Sequence, residues 1–169
     1  MSFNKVVVVA AKRTPIGSFM GSLSGIPATL IGAKSIESAI KSISLKTNLI
    51  DEVYFGNVLQ AGVGQAPARQ SAIFAGISKE VPCTTINKVC SSGLKSISIS
   101  AQSIALGDNN IVVAGGMENM SMSPHYLNLR RGKKFGDTTF YSLGCVFGMY
   151  NYWSVWMKEE TDGSLIPLT

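Results

Sequence analysis

The feature that most constrains the fold is an alternation of short apolar, largely β-branched runs with longer segments of helical periodicity. Four runs have the character of strands: 6–10, 53–55, 84–86 and 111–114. Two long segments between them repeat apolar residues at helical spacing, and a shorter one, 65–75, opens near Pro67, which a first helical turn tolerates. This alternation predicts an α/β fold whose sheet is at least partly parallel and is covered by helices on both faces.

The two long helical segments each carry an apolar stripe. The first stripe consists of Ala33, Ile36, Ile40 and Ile43, separated by Lys34, Glu37 and Lys41. The second consists of Leu94, Ile97, Ala101 and Ile104, in a helix that Gly107 ends. Such a stripe normally faces the core, so both are predicted to pack inward.

The regular pattern fades after Met122. Residues 124–137 have the character of a loop, and 140–156 form a tract of aromatic, glycine and small polar residues that fits neither a strand nor a helix. We therefore expect two parts, a core of residues 1–120 and a divergent segment of residues 121–169.

Composition narrows the classes of function. The 169 residues suit one domain with a sizeable core, and the net charge of +5 includes a cluster at Arg130, Arg131, Lys133 and Lys134. This cluster is either a solvated loop or a site that attracts a ligand carrying phosphates. Nucleic acid is not expected, because no aromatic residues are interleaved with the basic ones.

Cysteine and histidine usage gives further expectations. The three cysteines, Cys83, Cys90 and Cys145, form no CxxC pair, which favours a reducing compartment. No metal site is expected, because His125 has no neighbouring ligand at metal-site spacing. No targeting leader is recognisable and the apolar runs are too short to cross a bilayer, so we expect a cytoplasmic protein without a membrane segment.

Cys90 occupies the junction between the strand run 84–86 and the following helix. A thiol there meets unpaired backbone N–H groups and the positive end of the helix dipole, and both favour the nucleophilic thiolate. The alternative is an inert, half-buried cysteine at a helix start.

Three segments around this cysteine resemble the thiolase family: 87–95 (NKVCSSGLK), 112–121 (VVAGGMENMS) and 10–17 (AAKRTPIG). Two others, 55–62 (FGNVLQAG) and 64–70 (GQAPARQ), extend the resemblance, which runs from about residue 6 to about residue 139. The chain thus resembles the N-terminal half of a thiolase and is most similar to the acetyl-CoA acetyltransferase group. This implies a thiolase-like mixed sheet followed by a partial, divergent loop-domain segment.

The resemblance also implies chemistry and partners. Cys90 would accept an acyl group from an acyl-CoA as a thioester, with its own backbone N–H donating to the oxyanion, in the acyltransferase chemistry of lipid metabolism. Coenzyme A thioesters would be substrates, and no prosthetic group is expected. Gln60–Arg69 would be a loop at a homo-oligomer interface or a mobile connection, and the third strand would pair with its twin across that interface.

For several other residues the sequence predicts ordinary roles and no part in catalysis. His125 is expected to be a solvent-exposed imidazole, and Ser91 and Ser92 to be ordinary helix caps. The glycines at 115 and 116 are expected to permit close backbone approach. Glu118 could pair with a cation and has no assigned catalytic role, and the coenzyme-binding residues stay unknown.

The resemblance ends where a thiolase would continue. Its second half supplies a histidine, a second cysteine and an asparagine for catalysis, and Cys145 is not that cysteine. An expected His-Met-Gly segment is replaced by 144–153 (GCVFGMYNYW). We therefore expect a truncated acyltransferase chain, weak or inactive alone. The alternative is a non-catalytic module that associates with full-length thiolase subunits.

Overall fold

The computed structural model describes residues 4–127, 141–142 and 154–159, the last two segments by their backbone pairing. All predicted strands and helices of the first part are confirmed. The elements are β1 (Val6–Lys12), α1 (Ala28–Ser42), β2 (Glu52–Gly56), α2 (Pro67–Phe74), β3 (Cys83–Ile86), α3 (Ser92–Leu106), β4 (Ile111–Gly116), β5 (His125–Tyr126), β6 (Tyr141–Ser142) and β7 (Ser154–Glu159).

Five strands form one mixed sheet in the order β1-β7-β4-β2-β3. β2 is parallel to both β3 and β4, and Gly56 is in register with Ile86 on one side and Gly116 on the other. The carboxyl ends of three strands therefore lie side by side, the edge at which α/β sheets usually bind ligands.

Helices cover both faces of the sheet, as predicted. Val53, Phe55 and Val113 belong to the core cluster that contains α1 and α2. Tyr54 and Val112, which alternate with them, pack with α3 on the other face. The α/β class with helices on both faces is thus confirmed.

The stripe predicted for α1 is confirmed, because Ala33, Ile36 and Ile40 are buried. The stripe predicted for α3 is wrong at Leu94, which is 70% exposed, whereas Ile97, Ala101 and Ile104 pack inward as predicted. The helix also buries serines against the sheet. The buried residues of α3 are Ser92, Ser96, Ser100, Ser103 and Ile104.

The tract predicted to be irregular contains strands. β5 and β6 form a two-stranded ladder, and β7 runs antiparallel between β1 and β4. Within the described residues β7 is the strand that joins β1 to the others. The β-branched run 6–10 is of the kind seen in strands buried on both faces, but β1 lies at the edge of the sheet and its Val8 is 43% exposed.

No helix in the described part of the chain is long and apolar enough to span a membrane. The division near residue 120 stays a prediction.

We expect Met157→Pro to destabilise the chain, because Met157 pairs with Val8 on one side and Val112 on the other. Proline removes an N–H from a central strand and leaves a carbonyl without its donor, at a cost of about 1–3 kcal/mol. Thermal unfolding followed by circular dichroism should show a Tm lowered by at least about 2 °C. Met157→Ala, which keeps the N–H, is the control, and equal Tm values for the two variants would contradict the pairing.

Candidate active site

The first turn of α3 lies directly on the ends of β2 and β4, with glycine at each contact. A Cβ on Gly56 would lie 2.6 Å from the carbonyl carbon of Ser92 and 2.7 Å from the nitrogen of Gly93. A Cβ on Gly116 would lie 3.2 Å from the Cα of Gly93. The predicted close approach at Gly116 is confirmed, and it places the start of α3 over the strand ends.

We expect Gly56→Ala to cost about 1–3 kcal/mol, because backbone atoms at both close contacts must move. Gly93→Ala is the matched control: its Cβ would lie 3.8 Å from Gly115, an ordinary contact, and alanine is the better helix former. Urea unfolding should give a lower midpoint for Gly56→Ala and an unchanged or higher one for Gly93→Ala. The reverse order would refute this packing.

Cys90 lies in a tight turn between β3 and α3 and is exposed. The carbonyl of Lys88 accepts a hydrogen bond from Ser91 N at 3.1 Å, and that of Val89 accepts one from Ser92 N at 3.1 Å. Val89 has φ +50°, a conformation that costs a β-branched residue about 1–3 kcal/mol. The surrounding bonds hold this strained turn, which presents the Cys90 thiol to solvent.

The serines beside Cys90 do not act as a simple pair of caps. Ser91 is at the N-cap position but makes no side-chain capping bond. The Ser92 hydroxyl accepts from Lys88 N at 2.8 Å and donates to the Val89 carbonyl at 2.6 Å. Ser92 therefore links the two residues that precede Cys90 to the helix that follows it.

Ser96 fixes α3 to β4 one turn further along. Its Oγ accepts from Gly115 N at 3.0 Å and lies 2.6 Å from the carbonyl oxygens of both Gly93 and Gly115. Ser96 is fully buried and Gly115 is buried, so the bonds between them are shielded from water. One hydroxyl thus satisfies backbone groups of both elements.

We expect Ser96→Ala to lower the free energy of unfolding by about 1–3 kcal/mol, because Gly115 N–H loses its acceptor in a buried place. Ser98→Ala, at an exposed position of the same helix, should stay within about 0.5 kcal/mol of the parent. Chemical denaturation of the three proteins measures both values. A neutral Ser96→Ala would show that the serine is not an essential anchor.

The loop after β2 is held by Glu118. The carboxylate accepts from Val58 N at 2.8 Å, Leu59 N at 3.2 Å and Asn57 Nδ2 at 3.0 Å. Burial raises the pKa of Glu118, and the two backbone donors and Asn57 oppose that rise. The partners of the Glu118 carboxylate are thus neutral donors and not the cation suggested by the sequence. Glu118 therefore holds the backbone at Val58 and Leu59.

Asn119, a second asparagine near the ends of these strands, bonds to the loop after β1. Asn119 donates to the carbonyl of Ile26 at 2.7 Å and lies within 3.2 Å of those of Leu23 and Ser24. Ser121 Oγ accepts from Met20 N at 2.8 Å. The glycine-rich loop after β1 is therefore bound to the end of β4.

Several predicted residues lie elsewhere. His125 is exposed in β5, as expected, and Cys83 is half-buried in β3, where burial raises the pKa of its thiol. Within Gln60–Arg69, a segment that enters α2 at Pro67, the carbonyls of Val63 and Gln65 accept from Gln70 Nε2 at 3.0 and 2.7 Å. Its place at a partner interface stays a prediction.

The basic cluster at 130–134 and Cys145 lie outside the described residues. Among the residues described, no group of three His, Cys, Asp or Glu side chains could hold a metal ion.

Comparison with known proteins defines the class. The thiolase N-terminal domain profile matches residues 6–154, so the chain belongs to the thiolase family. Over 135 residues it is 56% identical to the cytosolic acetyl-CoA acetyltransferase ERG10 of Gibberella zeae, and over 132 residues it is 55% identical to acetyl-CoA acetyltransferase 2 of Arabidopsis thaliana. A mitochondrial acetyl-CoA acetyltransferase of Danio rerio is 52% identical over 142 residues.

These alignments cover most of this chain but a minor part of each relative. The shares of this chain are 79%, 78% and 84%, and the corresponding shares of the relatives are 34%, 33% and 34%. The chain therefore spans about a third of the length of the curated relatives it matches. The resemblance seen in the motifs is confirmed, and the roles of individual residues stay open.

Proposed function

We propose that this chain carries out the acyl-accepting step of a thiolase, with Cys90 as the nucleophile. The Cys90 sulfur attacks the carbonyl carbon of an acyl-CoA thioester, a new carbon–sulfur bond forms, and the bond to the coenzyme A sulfur breaks. Coenzyme A leaves as its thiol, with the proton that Cys90 loses. The observation that supports this most directly is an exposed cysteine held in a braced turn at the start of α3.

The backbone around Cys90 suits the charge that develops during this attack. The carbonyl oxygen becomes an oxyanion, which the N–H of Cys90 and the positive end of the α3 dipole would stabilise. Removing one such donor typically costs about 10²–10³-fold in rate, so the shape of the turn matters as much as the thiol.

Acetyl-CoA is the proposed substrate, because the relatives are named acetyl-CoA acetyltransferases. In the complete reaction the acetyl group would pass from Cys90 to a second acyl-CoA acting as a carbon nucleophile, or to coenzyme A in reverse. No prosthetic group is needed for either direction. We propose that the protein is cytosolic, because the Gibberella zeae relative is named as cytosolic. Fluorescent tagging in cells tests this, and a mitochondrial signal would refute it.

A second function is favoured by the outer face of α3. Leu94 is 70% exposed and Leu106 is 65% exposed, whereas the sheet-facing side of the same helix is rich in serine. Exposed apolar side chains of this kind are available to contact further protein. In this alternative the chain is a non-catalytic module that binds full-length thiolase subunits, or a second copy of itself.

Acetylation of the purified chain separates the two functions. We expect incubation with acetyl-CoA to add the mass of one acetyl group, mapped by peptide analysis to Cys90. Cys90→Ser should remove it, and Cys83→Ser, which changes a half-buried thiol, should not. If a folded chain carries no acetyl group on Cys90, the catalytic proposal is refuted. Co-elution with a full-length thiolase would then support the alternative, a non-catalytic module.

A further inference from the structure

A series of hydrogen bonds connects Glu118, which follows β4, to Val89, the residue before Cys90. The series passes through the loop after β2. Asn87 donates through Nδ2 to the carbonyl of Val58 at 3.2 Å and accepts through Oδ1 from Val89 N at 3.0 Å. One side chain thus joins the loop after β2 to the residue immediately before the nucleophile. Glu118 holds the same loop through Val58 N and Leu59 N.

We propose that Glu118 and Asn87 are positioning residues for Cys90: the carboxyl group holds the 57–59 loop, and the loop holds Asn87, which fixes Val89. The function assigned to the series rests on Cys90 being the nucleophile. Neither side chain is required to touch the acyl group, because both act on the backbone of the turn.

The strain at Val89 makes such support necessary. With φ at +50° and the residue 65% exposed, Val89 lacks the surrounding packing that usually maintains an unfavourable backbone conformation. The bond from Val89 N to Asn87 Oδ1 and the brace from Ser92 oppose its relaxation. Relaxation would rotate the peptide that carries the Cys90 N–H, the proposed donor to the oxyanion.

The position of Glu118 explains how a distant carboxyl group reaches this turn. Gly56 and Gly116 are in register, so the residues that follow β2 and β4 leave the sheet side by side. Asn57, fully buried, donates to both the Met117 carbonyl and Glu118. Glu118 is half-buried, which limits competition from water for its three donors and helps to hold the loop that Asn87 contacts.

Amide hydrogen exchange, measured residue by residue by NMR on the full chain, tests the order of the series. Glu118→Gln keeps the shape of the side chain but turns an NH₂ group toward backbone N–H donors. We expect faster exchange at Val58, Leu59 and Val89. Asn87→Ala should speed exchange at Val89 and leave Leu59 unchanged.

Two chemical readouts test the consequence for Cys90. Acetyl transfer from acetyl-CoA should slow by roughly 10–100-fold in both variants, since small misplacements near reacting atoms have effects of that size. Alkylation of Cys90 by iodoacetamide, referenced to Cys83 in the same molecule, should stay near the parent rate because it needs only an accessible thiolate. A general loss of folding would instead accelerate alkylation of the half-buried Cys83.

The matched controls are Glu37→Gln and Asn110→Ala. Glu37 forms exposed ion pairs with Lys34 and Lys41 on α1, and Asn110 is exposed in the turn before β4. Both should leave exchange at Val89 and acetyl transfer unchanged. Unaltered exchange at Val89 in Glu118→Gln would overturn the positioning proposal, as would unaltered acetyl transfer. If the parent chain accepts no acetyl group, the proposed function fails, and exchange at Val89 still decides whether the series exists.

Discussion

At the carboxyl ends of β2 and β4, the first turn of α3 rests on bare backbone, because glycine occupies each point of contact. A Cβ on Gly56 would meet backbone atoms of α3 at less than 3 Å, so the helix could not start where it does with any other residue there. Ser96 then fixes the next turn to Gly115. The position of Cys90, one residue before Ser91 at the N-cap, follows from this packing.

The same close approach explains why the buried face of α3 is rich in serine. A helix this near to a sheet has little room for large side chains on its inner face, and the buried positions hold Ser92, Ser96 and Ser100. Each of their hydroxyls bonds to a backbone carbonyl, so burial leaves none of these three hydroxyls unsatisfied. Leu94, near the start of the helix, is then carried on the outer face, whereas Ile104 packs inward near the other end.

Much of this arrangement could be predicted from sequence, and the exceptions have physical causes. Local patterns located every strand and α-helix between residues 6 and 116, and the glycine at 116 correctly indicated close approach. Periodicity identifies an apolar stripe but not the neighbour that the stripe faces, so Leu94 was wrongly assigned to the core. β7 escaped detection because its run mixes Val155 and Trp156 with Lys158 and Glu159, and its pairing with β1 spans the chain.

The hydrogen bonds around Glu118 could be inferred from the sequence only by combining two distant segments. β2 and β4 both end in glycine, and polar residues follow soon after each: Asn57 in one case, Glu118 and Asn119 in the other. Once the two strands are known to be parallel neighbours in register, these residues must emerge at one edge of the sheet. Their contact is therefore a consequence of topology, and a reader of the sequence can infer it only after assigning which strands are adjacent.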